Sequence, residues 1–210
     1  MPITIYGAGA SGASSARISR NRARTCSWST KWPSTSTPSD YLWAKQIDCS
    51  LFFAQAVSDE TVADLFGNWR YQPLLIALVG EGMGVAQAAG ITPRGFDGFD
   101  PLPMRPRNEA EAAAARAVLD RFAGYCRGLV KVRSGPWRDL AIRKRLTEVD
   151  HLMGWIIAEG RARGVPVPLN ERLLAQVKEL ERGVRQRGLH NLDELESARA
   201  ALYDPAIGPR

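Results

Sequence analysis

At 210 residues, with apolar side chains making up 45%, the chain can build one substantial core, or a core and a fragment of a second. It holds no apolar run of about 18 residues that would span a bilayer, and its start, Met-Pro-Ile-Thr-Ile-Tyr, turns glycine-rich at once rather than forming a secretory leader. Of the net charge of +6, five units arise in residues 13–39, where Arg17, Arg20, Arg22, Arg24 and Lys31 stand without an acid; the remainder carries 23 bases against 22 acids, which argues against a nucleic-acid surface.

In chain order, residues 3–6 (Ile-Thr-Ile-Tyr) read as a short strand, followed directly by Gly7-Ala8-Gly9-Ala10-Ser11-Gly12. A G-x-G-x-x-G run straight after a strand is the context that a dinucleotide fingerprint needs. Gly7 permits the tight turn, Gly9 lets the backbone approach a pyrophosphate and Gly12 allows close helix–strand packing. Residues 13–22 supply the helix whose N-terminal N–H groups, with those around Ala10 and Ser11, would face the phosphates. Lys31 falls near the position where such folds place an acid for the ribose of NAD or a base for the extra phosphate of NADP. The pattern then collapses into Trp-Pro-Ser-Thr-Ser-Thr-Pro-Ser at 32–39, a linker by composition. A full domain of this type needs on the order of 100 residues or more, so 1–31 reads as a remnant β-α-β fragment. The Arg/Ser/Thr/Pro bias of 13–39 suggests a frame-shifted or badly joined coding stretch, which resequencing the locus would test.

From residue 40 to 210 the signals are helical. Residues 41–57 form a mostly apolar helix interrupted by Lys45, Gln46 and Asp48. Ser58 is expected to cap a short helix ending at Phe66. Residues 74–89 are apolar and rich in small side chains, with Glu81 as their single charge. Residues 91–107 read as a loop around Gly-Phe-Asp-Gly-Phe-Asp-Pro. Asn108, with Glu111 three residues on, opens an alanine-rich helix ending near Gly128. One long helix is expected over 137–163, stopping at Gly164, and it would carry Asp139, Thr147, Glu148 and Asp150. Asn170 is expected to cap a helix running to about Arg187, and Asn191 with Glu194 to start the last.

Cys26, Cys49 and Cys126 are odd in number and lack metal spacing, which reads as reduced thiols in a cytoplasmic protein. Cys49 as a nucleophile has no His near it in sequence, and a buried structural thiol is the better reading. His151 and Glu148 make one isolated Glu-x-x-His, short of the carboxylate-bridged sites that use two, so no metal is expected.

Five segments occur in one order: Leu-Trp-Ala-Lys at 42–45, Gly-Phe-Asp-Gly-Phe-Asp-Pro at 95–101, Arg-Asp-Leu-Ala at 138–141, Thr-Glu-Val-Asp at 147–150 and Gly-Val-Pro-Val-Pro-Leu-Asn at 164–170. Together with the fingerprint they resemble the ketopantoate reductase (2-dehydropantoate 2-reductase) family. The resemblance is weak over 1–12 and good over 41–187. It implies a mostly α protein: an all-helical C-terminal domain of the 6-phosphogluconate-dehydrogenase C-terminal-like type at 40–210, preceded by the Rossmann remnant. It further implies NADPH-dependent reduction of 2-dehydropantoate to pantoate in pantothenate and coenzyme A biosynthesis. In that scheme Lys45 is the general acid, Glu148 faces it, and Ser134 receives the substrate carboxylate, while Gly7, Gly9, Ala10, Ser11, Gly12 and Lys31 hold the cofactor. An ammonium suits the task because hydride transfer to a keto group builds negative charge on oxygen. The family usually places Asn one and two turns after the lysine to hold substrate; here those places are Cys49 and Phe53. Asp139 has a structural role, and Ser134 is followed by Gly135 where the family has a second Ser. A small 2-keto acid is the implied partner, with neither nucleic acid nor membrane. The alternative is a non-catalytic helical module that dimerises through the apolar 74–89 surface.

Overall fold

The structure, a computed structural model, describes residues 38–203. All regular secondary structure in this range is helical, apart from an isolated bridge between Phe96 and Phe99. The all-helical class therefore holds, while the Rossmann fragment, with its glycines and Lys31, lies outside the described residues. None of the described helices is long and apolar enough to cross a membrane.

Helix α1 (Pro38–Ala56) starts within the expected linker and buries a broad face that includes Trp43, Ile47, Leu51 and Phe53. It packs against α3 (Gln72–Ala88), which is enclosed on nearly all sides. Small residues make that possible: a Cβ on Gly82 would lie 3.1 Å from Ile47 Cγ1, so glycine lets α1 and α3 approach closely. The apolar 74–89 stretch is thus the centre of the core rather than a dimerisation surface, because its side chains are covered from within the same chain. Short α2 (Val62–Phe66) lies on amphipathic α4 (Glu109–Arg127), whose buried Ala115, Val118, Leu119 and Phe122 recur at helical spacing.

Several ends differ from the sequence reading. The cap of α2 is Thr61, which accepts from the Asp64 N–H at 3.1 Å. Ser58 instead donates to the Gln55 carbonyl, closing the end of α1. Asn108 does cap α4, accepting from the Glu111 N–H at 2.9 Å, but the Glu111 carboxylate reaches back to the Arg107 N–H rather than to its capping partner.

The expected long helix over 137–163 is two helices. A short α5 (Gly135–Arg138) runs into a π-helical turn (Asp139–Arg143), closed by Lys144 in the left-handed region at φ 51°. Asp139 anchors this turn: its carboxylate accepts from Arg143 at 2.7 Å and Arg145 at 3.0 Å, and its carbonyl accepts from the Arg145 N–H. Burial pushes the Asp139 carboxyl up, but the two guanidinium groups outweigh it and hold the group below its ordinary range. After the break, α6 spans Val149–Arg163 and ends at left-handed Gly164 as expected. Thr147 and Glu148 therefore precede α6 rather than riding on a continuous helix. The Thr147 hydroxyl and N–H both donate to Glu181.

Helix α7 (Pro168–Glu181) opens with a proline and ends at Glu181, not Arg187, because the chain turns at Gly183 with φ 71°. Asn170 does not cap it; its side chain donates to the Leu78 carbonyl and to Glu81 on α3. Helix α8 (Leu189–Leu202) likewise begins before Asn191, whose amide donates to the carbonyls of Val57 and Gln186.

Candidate functional site

Lys45 lies on the one exposed stripe of α1 among buried Trp43, Ala44 and Ile47. Its side chain is 56% exposed, and the ammonium stands over two aromatic rings, 5.5 Å from the Phe52 centroid and 5.3 Å from that of Phe96. Those distances are in the cation–π range. Phe96 is positioned by a tight loop in which Phe96 and Phe99 exchange both main-chain hydrogen bonds at 3.0 Å. Gly95 is required there, since a Cβ would fall 2.2 Å from the Phe99 carbonyl oxygen.

Beside the ammonium opens a cavity of about 370 Å³. Lys45, Asp48, Cys49 and Phe53 of α1 form one side. Phe122, Tyr125 and Cys126 of α4 form another, and the segment from Arg133 to Arg138 closes a third. Phe122 is the hub of the aromatic wall, with ring centroids of Phe66, Phe99 and Tyr125 at 5.4, 5.2 and 6.3 Å.

Asp48 is the residue that the sequence reading passed over. It is 1% exposed, with one carboxylate oxygen 3.6 Å from the Lys45 ammonium and the other, Oδ1, buried without a hydrogen-bond partner among the described residues. Burial pushes its carboxyl up to about 7, and Lys45 offsets part of that rise. Its position three residues after Lys45, on the same helical face, was the available signal.

Burial pushes the Cys49 thiol up to about 12, and the negative charge of Asp48 adds to the effect. The thiol donates to the Lys45 carbonyl at 3.0 Å. It is thus a neutral lining group and not a nucleophile at neutral pH. Ser134 caps α5, accepting from the Trp137 N–H, and it is fixed to α1 twice: its hydroxyl donates to the Phe52 carbonyl at 3.2 Å and its N–H to Gln55 Oε1 at 3.0 Å. Its hydroxyl proton is thereby committed to the scaffold. Arg138, one turn on, reaches the same cavity with a buried Nε that has no partner among the described residues.

Glu148 is exposed at the start of α6 and does not line the cavity, although its charge acts on Cys49. Lys45, Cys49 and Ser134 are thus brought to one cavity, and Glu148 is not brought to it. The fingerprint residues and Lys31 lie outside the described range. A larger cleft, about 730 Å³, runs between the π turn and the end of α7. Its Arg145, Arg185 and Arg187 are already paired with carboxylates, while Lys144 and Arg182 also line it. Among the described residues no cluster of His, Cys, Asp or Glu could hold a metal ion.

The family model described as ketopantoate reductase PanE/ApbA C terminal matches residues 42–181. The chain belongs to this family. The matched span contains Lys45, Cys49, Ser134 and Glu148. A crystal structure of a PanE/ApbA family ketopantoate reductase from Ralstonia eutropha JMP134 is similar at 27% identity, with a TM-score of 0.50. The likeness covers 68% of this chain and 41% of that one, so the chain spans about two fifths of the reductase it matches. No curated protein matches the chain.

Proposed function

We propose that the chain provides the substrate-side domain of a cytoplasmic, NADP-dependent 2-keto-acid reductase of the 2-dehydropantoate 2-reductase type, serving pantothenate and coenzyme A biosynthesis. The observation that carries this reading is the Lys45 ammonium standing at an aromatic-walled cavity within the family-matched span. The fingerprint residues Gly7, Gly9, Ala10, Ser11 and Gly12 would hold NADPH, with Lys31 for its extra phosphate, and the cofactor would supply the hydride. Lys45 hydrogen-bonds the keto oxygen and gives it a proton as negative charge develops there, so that the keto acid becomes a 2-hydroxy acid. The deprotonated amine then recovers its proton from water at the open mouth. Asp48 holds the ammonium from beneath. Ser134 fixes α5 on α1, so that Arg138 is available for the substrate carboxylate.

The test is a fluorescence titration of the full chain with NADPH, followed by ketopantoate. Micromolar cofactor binding with turnover that Lys45→Ala removes supports the reading. A second reading, a non-catalytic helical module with or without dimerisation, is favoured by the confinement of the match to the C-terminal part of the family. It predicts no binding at millimolar NADPH.

A further inference from the structure

We propose that the Lys45 cavity selects acids whose side chain is an aryl group, in preference to the hydroxylated side chain of ketopantoate. This inference rests on the keto-acid reading for the role of Lys45, and three observations on different walls carry it.

The first wall is the α1 face beyond the ammonium. One turn on, Cys49 already donates to the Lys45 carbonyl; two turns on, Phe53 presents a phenyl ring. Asp48 adds little, since one oxygen faces Lys45 and Oδ1, buried without a partner among the described residues, is the one acceptor it leaves. A substrate hydroxyl entering here would find at most that acceptor and would lose its other water partners, a penalty of about 1–3 kcal/mol by general experience with buried polar groups.

The second wall is aromatic. Phe96 covers the ammonium, and Phe122 and Tyr125 lie nearly parallel, 11° apart, on the α4 side. At about 370 Å³ the space falls within the range of about 300–1,000 Å³ typical of sites that enclose a mainly apolar ligand. A ring seated there gains edge and face contacts that a short aliphatic chain does not.

The third wall supplies charge. Arg138 makes no hydrogen bond or ion pair with a described residue, and its Nε is buried at the cavity. Arg133 lines the same cavity and its Nε is likewise without a partner among the described residues, but its Nη2 donates to the Asp59 carbonyl and its guanidinium stacks 4.4 Å from the Trp137 ring. A ligand carboxylate at Arg138 satisfies the guanidinium bidentately and leaves the rest of the molecule against the rings.

Calorimetric titration of the full chain without cofactor tests this, using phenylpyruvate, 3-phenylpropionate, 2-oxobutanoate and ketopantoate. Phenylpyruvate is expected to bind about tenfold more tightly than ketopantoate, the scale of one aromatic contact. Phe96→Ala should abolish that preference while leaving 2-oxobutanoate unchanged, and Arg138→Gln should weaken all four acids. Tyr125→Ala, at a half-exposed site, gives a second variant should loss of Phe96 disturb the loop. Equal or tighter binding of ketopantoate, or an aryl preference untouched in both ring variants, overturns the proposal. Tight 3-phenylpropionate binding in a chain that never turns over keto acid with NADPH leaves the aryl site standing and removes the reductase reading instead. If none of the four acids binds, the aryl proposal falls, and the reductase reading is decided by the NADPH and ketopantoate titration.

Discussion

The Glu81 carboxylate on α3 closes the N-terminus of α7, accepting the Asn170 main-chain N–H at 3.0 Å and the Asn170 side-chain amide at 2.8 Å. The Leu169 N–H and the Tyr203 hydroxyl donate to the same carboxylate, at 2.9 and 2.6 Å. One buried acid thus does for α7 what a capping side chain normally does from within the helix.

Glu81→Ala is therefore expected to destabilise the protein by about 3 kcal/mol or more, since it strands donors at the start of α7 and just past the end of α8. Urea unfolding measures it, and a loss below about 1 kcal/mol would mean that water replaces the carboxylate. Glu81→Gln should lose less, keeping one acceptor while adding a donor that faces other donors.

Asp48 makes stability fall as pH rises. Its carboxyl is raised from 3.8 to about 7 in the fold, chiefly by burial. Between those values the folded chain keeps a proton that the unfolded chain has released, so stability is lost across that window and the loss is complete above it. Asp48→Asn should accordingly raise the melting temperature at pH 8 by several degrees and change it little at pH 4. An equal shift at both pH values would show that the effect is not ionisation.

Gly95→Ala should damage the cavity from outside it. A Cβ 2.2 Å from a carbonyl oxygen forces the backbone apart and carries Phe96 away from Lys45. The expected loss is about 2 kcal/mol, together with a fall in ligand affinity at least as large as that of Phe96→Ala. A variant that keeps wild-type affinity would count against the loop as the device that positions Phe96.

Lys144→Gly should stabilise the chain by up to about 1 kcal/mol, because glycine adopts the left-handed region without the penalty that a side chain carries. Thermal melts at matched buffer suffice; a destabilised variant would mean that Lys144 makes contacts that outweigh its backbone strain.

Features set by near neighbours could be read from the order of residues. Asn108 with the Glu111 N–H, and Gly164 as the left-handed stop of α6, are each complete within a few positions. The stripe carrying Lys45 and Cys49 follows from helical spacing alone. What escaped depends on distant partners: Asn170 looks like a helix start until Glu81 is seen beneath it, and Thr147 looks helical until Glu181 is seen to hold it. The π turn escaped for another reason. The apolar spacing continues through residues 139–149, and no proline or glycine marks the break. Asp48 was visible only as an interruption of an apolar helix, since its significance lies in burial, which a lone acid in a sequence does not announce.

The break at Lys144 means that Arg138 and Glu148 answer to different anchors. The first is tied to α1 by Ser134, through Phe52 and Gln55; the second follows Thr147, which Glu181 of α7 holds. A continuous helix would fix the bearing of one from that of the other. With the break between them, each can be re-aimed by replacements that leave the other's anchor intact.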